Sequence, residues 1–135
     1  WDHEVDAAIA EVSPNLRVLR PGYLRFQDLP GYLGGAQIVA YPSHGEGFGL
    51  PVLEAMACGV PVLTTPRLSL PEVGGDAVAY TQPDAHAIAE ALADLLSDEP
   101  RRADLAARGL ARAHEFTWAA SAEAHLASYA RAAAE

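Results

Sequence analysis

Apolar residues follow two spacings along this chain: short continuous runs, and longer stretches in which they recur every three or four positions. The continuous runs are typical of strands covered on both faces, whereas the periodic stretches are typical of amphipathic helices. Four runs predict strands, at residues 16–19, 37–41, 60–65 and 77–80. Because helical patterns separate these runs, the sequence predicts an α/β fold with a parallel sheet and flanking helices.

Capping residues and prolines mark the predicted helix starts. Asp28, Asp84 and Thr117 each precede a helical pattern and can cap its first turn. Helices are predicted over 1–12, 28–33 and 50–58, as a single turn over 70–75, and from Asp84, Pro100 and Thr117 onward. The expected inward residues are Val5, Ile9 and Val12 in the first helix, Ile88, Leu92, Leu95 and Leu96 in the helix from Asp84, Ala103, Ala106, Ala107 and Leu110 in the next, and Trp118, Ala122, Leu126 and Tyr129 in the last.

The glycine-rich stretch, residues 43–54, reads Ser-His-Gly-Glu-Gly-Phe-Gly-Leu-Pro-Val-Leu-Glu. Its glycines permit a close backbone approach to a ligand, and Pro51 suits the first turn of a helix. The free N–H groups and dipole of such a helix start favour a phosphate or diphosphate. Glu46 and Glu54 flank that position and can accept sugar or ribose hydroxyls. A nucleotide-sugar site is therefore one interpretation, and a βα loop with two solvated glutamates is the other.

Residues 42–62, from Pro-Ser-His-Gly-Glu-Gly-Phe-Gly-Leu-Pro to Cys-Gly-Val-Pro-Val, resemble the donor-binding signature of retaining glycosyltransferases of family 4, which have the GT-B fold. The resemblance continues through residues 69–77 and covers nearly the whole chain. It implies a Rossmann-like domain, the C-terminal half of a GT-B enzyme, lacking its first strands. Residues 1–115 would form this partial domain, and residues 116–135 a C-terminal crossover helix.

The resemblance also implies the partners. The donor would be a nucleotide-diphosphate sugar, either a GDP-sugar such as GDP-mannose or a UDP-sugar, and the acceptor would bind an N-terminal domain. Nothing in the chain matches the family's opening strand, glycine-rich turn, or the arginine and lysine that neutralise the diphosphate. We therefore expect a missing segment, another chain or a swapped copy to complete the sheet, and the isolated chain to be inactive.

The resemblance assigns roles to individual residues. Glu46 would be the catalytic acidic residue that holds hydroxyls of the transferred sugar, and Glu54 would accept the ribose hydroxyls. The substrate-binding residues would be Gly22, Tyr23 and Leu24 at the base, His44, Gly47, Phe48, Gly49 and Leu50 around the sugar and diphosphate, and Glu54. Tyr23 has an alternative role, in which it only covers the edge of the core. Glu72 is a further candidate that could reach a ligand, and its alternative role is only to complement a helix dipole.

Composition limits the classes of function. The chain has 18 acidic residues against 9 arginines and no lysine, a net charge of −9, so non-specific binding to nucleic acid or anionic lipid is not expected. No apolar run approaches the roughly 20 residues of a membrane-spanning helix. We expect a cytoplasmic protein, reaching the inner membrane face through the missing N-terminal half.

Cysteine and histidine usage points away from redox and metal chemistry. The single Cys58 is expected to be a small core residue, and a disulfide within the chain is impossible. His86, His114 and His125 lack partners at ligand spacing, so no metal site and no cofactor are expected. Two rival functions stay open: a nucleotide-binding or assembly module without turnover, and another GT-B enzyme such as a phosphorylase or epimerase.

Overall fold

Three parallel strands form the sheet in the computed structural model, which describes residues 2–134. The strands are β1 (Val39–Tyr41), β2 (Val62–Thr64) and β3 (Ala79–Tyr80), in the spatial order β1-β2-β3. Val39 lies opposite Val62, and Leu63 lies opposite Ala79. All three residues of β2 are buried, because β2 is central and covered on both faces.

Within the described residues, seven α-helices and one short 3₁₀ helix surround this sheet. The 3₁₀ helix spans Phe26–Asp28, and the α-helices are α1 (Asp2–Ala10), α2 (Leu29–Gly34), α3 (Leu50–Ala57), α4 (Leu70–Gly74), α5 (Ala85–Ser97), α6 (Glu99–Ala113) and α7 (Trp118–Ala133). The predicted α/β class with a parallel sheet and flanking helices is confirmed. Trp1 and Glu135, the predicted ends of the first and last helices, lie outside the described residues.

The core consists of two apolar clusters separated by β2. One cluster joins Val62 to α3 and α4 through Val52, Met56, Leu70 and Val73, among others. The second joins Leu63 to Ala79, Leu95 and Leu105, so it packs α5 and α6 against the sheet. Alternate side chains of β2 therefore supply the two clusters, as the pleat of a strand requires.

One predicted strand is wrong. Residues 16–19 have no regular structure, and Leu16 and Leu19 are 63% and 66% exposed. A strand exists only where a neighbouring strand accepts and donates its hydrogen bonds, and none of the described strands lies beside residues 16–19. The other three predicted strands are confirmed, each shorter than its apolar run.

The buried face of α6 differs from the predicted one. Ala103, Ala107 and Leu110 are exposed, whereas Leu105 and Gly109 are buried. The spacing of the alanines predicted the wrong buried face because an alanine side chain gains little free energy from burial. The buried face includes Gly109 instead, since the absence of a side chain there allows α6 to approach Met56 of α3.

Three further predictions about buried faces fail. Leu96 of α5 is 53% exposed, and Val5 of α1 is 41% exposed. In α7 none of the described residues is buried, and the stripe that was expected to face the core lies in solvent: Trp118, Ala122, Leu126 and Tyr129. Helical spacing predicts that an apolar stripe exists, but an element must pack on it before the stripe is buried.

Two of the three predicted caps form. Asp84 accepts a hydrogen bond from the Ala87 N–H, and Thr117 accepts one from the Ala120 N–H. Asp28 precedes α2 but does not cap it, because its carboxylate binds the Arg25 guanidinium at 2.6 Å. Asp98, which was not predicted, caps α6 by accepting from the Arg101 N–H.

Candidate functional site

The glycine-rich loop, residues 42–49, connects the end of β1 to the start of α3. The strands are parallel, so the residues that follow β1 and β2 emerge at the same edge of the sheet. Ligands of open α/β sheets bind at such an edge, outside the carboxyl ends of the strands. The topology therefore places the candidate residues 43–50 where a ligand site is expected.

Hydroxyl groups from the neighbouring segment hold this loop. Thr64 Oγ1 donates to the Tyr41 carbonyl at 2.9 Å, and Thr65 Oγ1 donates to the Ser43 carbonyl at 2.6 Å. Both threonines are completely buried. Ser69 Oγ donates to the Glu46 carbonyl at 3.0 Å. The backbone is thus fixed at the end of β1 and at two positions in the loop by side chains that the sequence analysis did not single out.

The carboxylate of Glu46 is oriented by two hydroxyl groups. The Tyr41 hydroxyl donates to Oε1 at 2.5 Å, and Ser43 Oγ lies 3.2 Å from the same oxygen and 3.1 Å from the Gly45 carbonyl, so its single proton is shared between them. The hydrogen bond to Glu46 raises the pKa of the Tyr41 phenol, and burial and the negative charge of Glu46 raise that pKa further. Glu46 is half-buried, so its carboxylate sits at the surface of the loop with one oxygen committed to the protein.

Gly49 makes the turn into α3. Its φ is +101°, in the left-handed region, and a Cβ at this position would lie 2.8 Å from Leu70 Cδ2. Pro51 occupies the first turn of α3, as predicted. The Gly49 carbonyl accepts from the Val52 and Leu53 N–H groups, so the first turn is closed by the backbone itself.

Four successive backbone N–H groups around this turn find no acceptor in residues 2–134. Within the described residues, the backbone N–H groups of Gly47, Phe48, Gly49 and Leu50 donate no hydrogen bond. They lie at the N-terminus of α3, where the helix dipole contributes about half a positive charge. Unpaired amides next to a positive dipole end can bind an anion.

Arg112 of α6 binds the last turn of α4. Its guanidinium donates from Nε to the Val73 carbonyl at 2.7 Å and from Nη2 to the Glu72 carbonyl. These carbonyls belong to the last turn of α4, which leaves carbonyl groups unpaired in any helix. The cation also lies over the ring of Phe116, 5.4 Å from its centroid. The side chain of Glu72 itself is exposed.

Glu54, within α3, lines a cleft that Glu46 does not line. It lines a mostly apolar cleft of about 190 Å³ between α2 and α3, together with Phe26, Leu29, Pro30, Leu33, Ala57 and Cys58. Cys58 is half-buried at this cleft and is not a core residue, so that prediction is corrected. The cleft has one carboxylate among apolar side chains.

The remaining candidates are exposed except for Leu24. Gly22 has a φ of +70°, and Tyr23 beside it is 95% exposed, so Tyr23 does not cover the core edge. Leu24 is half-buried and His44 is exposed. Among the described residues, no hydrogen bond joins residues 22–24 to the glycine-rich loop.

The three helical histidines are exposed, in agreement with their predicted surface positions: His86, His114 and His125. Residues 2–134 hold no group of three or more histidine, cysteine or acidic side chains arranged to bind a metal ion. None of the helices in this part of the chain is long and apolar enough to cross a membrane.

Sequence reasoning missed the hydroxyl partners of the loop, Tyr41, Thr64, Thr65 and Ser69. One signal was available: Thr64 and Thr65 are consecutive polar residues at the end of an apolar strand, and buried hydroxyls need partners. The identity of those partners depends on the pairing of β1 with β2, which no local pattern records.

Comparison with known proteins gives a consistent family. The model of the glycosyl transferases group 1 matches residues 2–112. The chain is 48% identical over 98 residues to the O-antigen chain mannosyltransferase B of Escherichia coli. This alignment covers 72% of this chain and 26% of that protein. It is 38% identical over 132 residues to a D-inositol 3-phosphate glycosyltransferase of Xylanimonas cellulosilytica, covering 96% of this chain and 32% of the relative.

A solved structure has the same fold. Sucrose-phosphate synthase from Thermosynechococcus elongatus superposes with a TM-score of 0.83 at 29% identity, covering 98% of this chain and 34% of that chain. This likeness supports the Rossmann-like, GT-B class of α/β fold. The chain thus spans between about a quarter and a third of the length of these three proteins. It belongs to the glycosyl transferases group 1 family.

Proposed function

We propose that the protein transfers a sugar from a nucleotide-diphosphate donor to an acceptor hydroxyl with retention of configuration, as in glycosyltransferase family 4, and that this chain binds the donor. The observation that carries the proposal is the run of four unpaired N–H groups, from Gly47 to Leu50, beside the half-buried carboxylate of Glu46. The amides suit a diphosphate, and the carboxylate suits sugar hydroxyls.

The chemistry follows from this arrangement. The anomeric carbon exchanges its bond to the diphosphate oxygen for a bond to the acceptor oxygen, and the proton of the acceptor hydroxyl passes to the departing diphosphate. Negative charge therefore grows on the diphosphate as its bond breaks. The unpaired amides and the N-terminus of α3 stabilise that charge where it develops. Glu46 holds the transferred sugar, and the reaction on this proposal requires no metal ion.

The nucleoside would lie at the cleft that Glu54 lines. Glu54 accepts the ribose hydroxyls, and residues 22–24 contact the base. GDP-mannose is the first donor to test, because one relative at 48% identity is named a mannosyltransferase. UDP-sugars are the second, because the exposed loop at Gly22 offers mostly backbone contacts to the base.

A charge-assisted hydrogen bond contributes about 1.5–3 kcal/mol, so Glu54→Ala should weaken nucleotide binding roughly 10- to 150-fold. Calorimetry of the full protein with free GDP and UDP measures this. Glu46→Ala should reduce sugar transfer more than nucleotide affinity, and Glu90→Ala, on the solvent side of α5, serves as the control. Unchanged nucleotide affinity in Glu54→Ala would remove Glu54 from the site.

The acceptor and the balancing cations would come from elsewhere. Among the described strands, β1 pairs only with β2, and Val39 of β1 lines a cleft of about 580 Å³ together with residues of α2. We propose that another segment, chain or swapped copy adds a strand there and brings basic groups to the diphosphate. Light scattering and melting of the 135-residue chain test this, since a monomer that melts cooperatively would contradict it.

A further inference from the structure

The hydrogen bonds of Glu46 divide its two carboxylate oxygens into different roles. Oε1 accepts from the Tyr41 hydroxyl at 2.5 Å and from Ser43 Oγ at 3.2 Å. Ser43 has one hydroxyl proton and also lies 3.1 Å from the Gly45 carbonyl, so Tyr41 is the principal donor that occupies Oε1. No hydrogen bond within the described residues involves Oε2, which leaves that oxygen to a ligand.

Tyr41 is well placed to impose this orientation. It is the last residue of β1, and its half-buried ring packs against the apolar cluster that contains Val52 and Met56. Its own carbonyl is held by Thr64 Oγ1 at 2.9 Å, so both the backbone and the ring of Tyr41 are fixed. The hydroxyl therefore reaches Glu46 from a rigid element and not from the loop.

We propose that Tyr41 is a positioning residue for sugar transfer: with Ser43, it holds Oε1 of Glu46 so that only Oε2 faces the hydroxyls of the donor sugar. The inference rests on the proposed function, because it assumes that Glu46 contacts the sugar. It predicts a single-oxygen contact to the sugar, with the carboxylate plane set by the protein before the donor binds. The Tyr41 phenol keeps its proton, since its pKa is raised by the hydrogen bond to Glu46.

Tyr80 provides a matched control. It is a half-buried tyrosine in the parallel strand β3, and its hydroxyl donates to the Gly75 carbonyl at 2.8 Å and not to Glu46. Tyr41→Phe and Tyr80→Phe each remove one hydroxyl from a half-buried ring. Only the first change releases the catalytic carboxylate.

The experiment measures kcat, KM for the nucleotide sugar, and Kd for the free nucleotide in the full enzyme. Tyr41→Phe should lower kcat about 10- to 100-fold, the cost of a misplaced reacting group, and leave the nucleotide Kd within about twofold. Ser43→Ala should lower kcat less, because its bond to Oε1 is longer. Tyr80→Phe should leave kcat within about twofold of wild type.

A double variant shows whether Tyr41 acts through Glu46. In a Glu46→Ala background, Tyr41→Phe should cause no further loss of kcat, because the group it positions is gone. Wild-type kcat in Tyr41→Phe, equal loss in Tyr80→Phe, or additive losses in the double variant would each overturn the inference. Failure of the proposed function looks different: Glu46→Ala would then transfer sugar at the wild-type rate, or the wild-type enzyme would transfer none.

Discussion

The ring of Phe116 meets the ring of Phe48 edge to face, with centroids 6.0 Å apart and planes at 87°. Phe48 belongs to the glycine-rich loop, whereas Phe116 follows α6 and packs against the core cluster beneath α4. The end of α6 therefore supports the loop from a part of the chain distant in sequence. Arg112, which lies over Phe116, ties the same support to α4.

This pair should contribute measurable coupling energy. Edge-to-face aromatic pairs stabilise by about 0.5–1.5 kcal/mol beyond their buried area. Phe48→Leu, Phe116→Leu and the double variant form a cycle, and urea unfolding of the full protein should give a coupling of that size. Phe26→Leu is the control, since Phe26 is 85% exposed. Strictly additive losses would show that the two rings do not stabilise each other.

Gly49→Ala should destabilise the protein more than Gly59→Ala. Both glycines have positive φ, +101° and +69°, so both substitutions strain the backbone by about 1–2 kcal/mol. A Cβ at Gly49 also lies 2.8 Å from Leu70 Cδ2, whereas nothing lies within 4 Å of one at Gly59. The difference in unfolding free energy between the variants reports the contact with Leu70 together with the greater backbone strain at a φ of +101°. Equal losses would mean that Leu70 moves aside without cost.

The residues that precede the helices should contribute different amounts to the free energy of unfolding, depending on whether their side chains cap the helix. Asp84→Ala, Asp98→Ala and Thr117→Ala each remove a bond to a first-turn N–H and should each cost about 1 kcal/mol. Asp28→Ala removes only an exposed ion pair with Arg25 and should cost less than about 0.5 kcal/mol. Thermal or urea unfolding checks all four. If Asp28→Ala lost as much unfolding free energy as the other three variants, the Asp28 carboxylate would have to cap α2 in solution.

Stability should fall at alkaline pH because of two tyrosines. The pKa of Tyr41 is raised by its hydrogen bond to Glu46, and the pKa of Tyr80 is raised mainly by burial. Each folded tyrosine keeps its proton above the pH of about 10 at which the unfolded residue loses it, so unfolding releases a proton there. The stabilisation is complete below about pH 10 and is lost as pH rises through the folded pKa.

Urea midpoints between about pH 8 and pH 11 test this linkage. Tyr41→Phe and Tyr80→Phe should each flatten the alkaline fall in stability, because each removes one titrating group. A fall as steep as that of the wild-type protein in both variants would assign the alkaline transition to other residues.

The sequence predicted well those elements that local patterns define. The apolar run around β2, Pro51 in α3, and the caps at Asp84 and Thr117 all form. The predictions that failed depend on non-local packing. Residues 16–19 have the composition of a strand but no described neighbour, and the alanines of α6 have helical spacing without a surface to cover them.

The site shows the same division. The glycine-rich loop could be located from its residues, because positive φ at Gly49 and a proline in the first helical turn are local requirements. The hydroxyls that hold the loop could not be assigned, because Thr64 meets Tyr41 only when β2 pairs with β1. The same pairing brings Thr65 Oγ1 within 2.6 Å of the Ser43 carbonyl.

The close packing at Gly109 has a consequence for local unfolding of the protein. A Cβ there would lie 3.2 Å from Met56 Cγ, so α6 and α3 are in close contact at this point. Neither helix can separate without exposing the apolar cluster between them, and we expect both to exchange their amide hydrogens with solvent at similar rates, as one cooperative unit. The base of the candidate site would then stay folded through the local fluctuations that open the exposed helix α7.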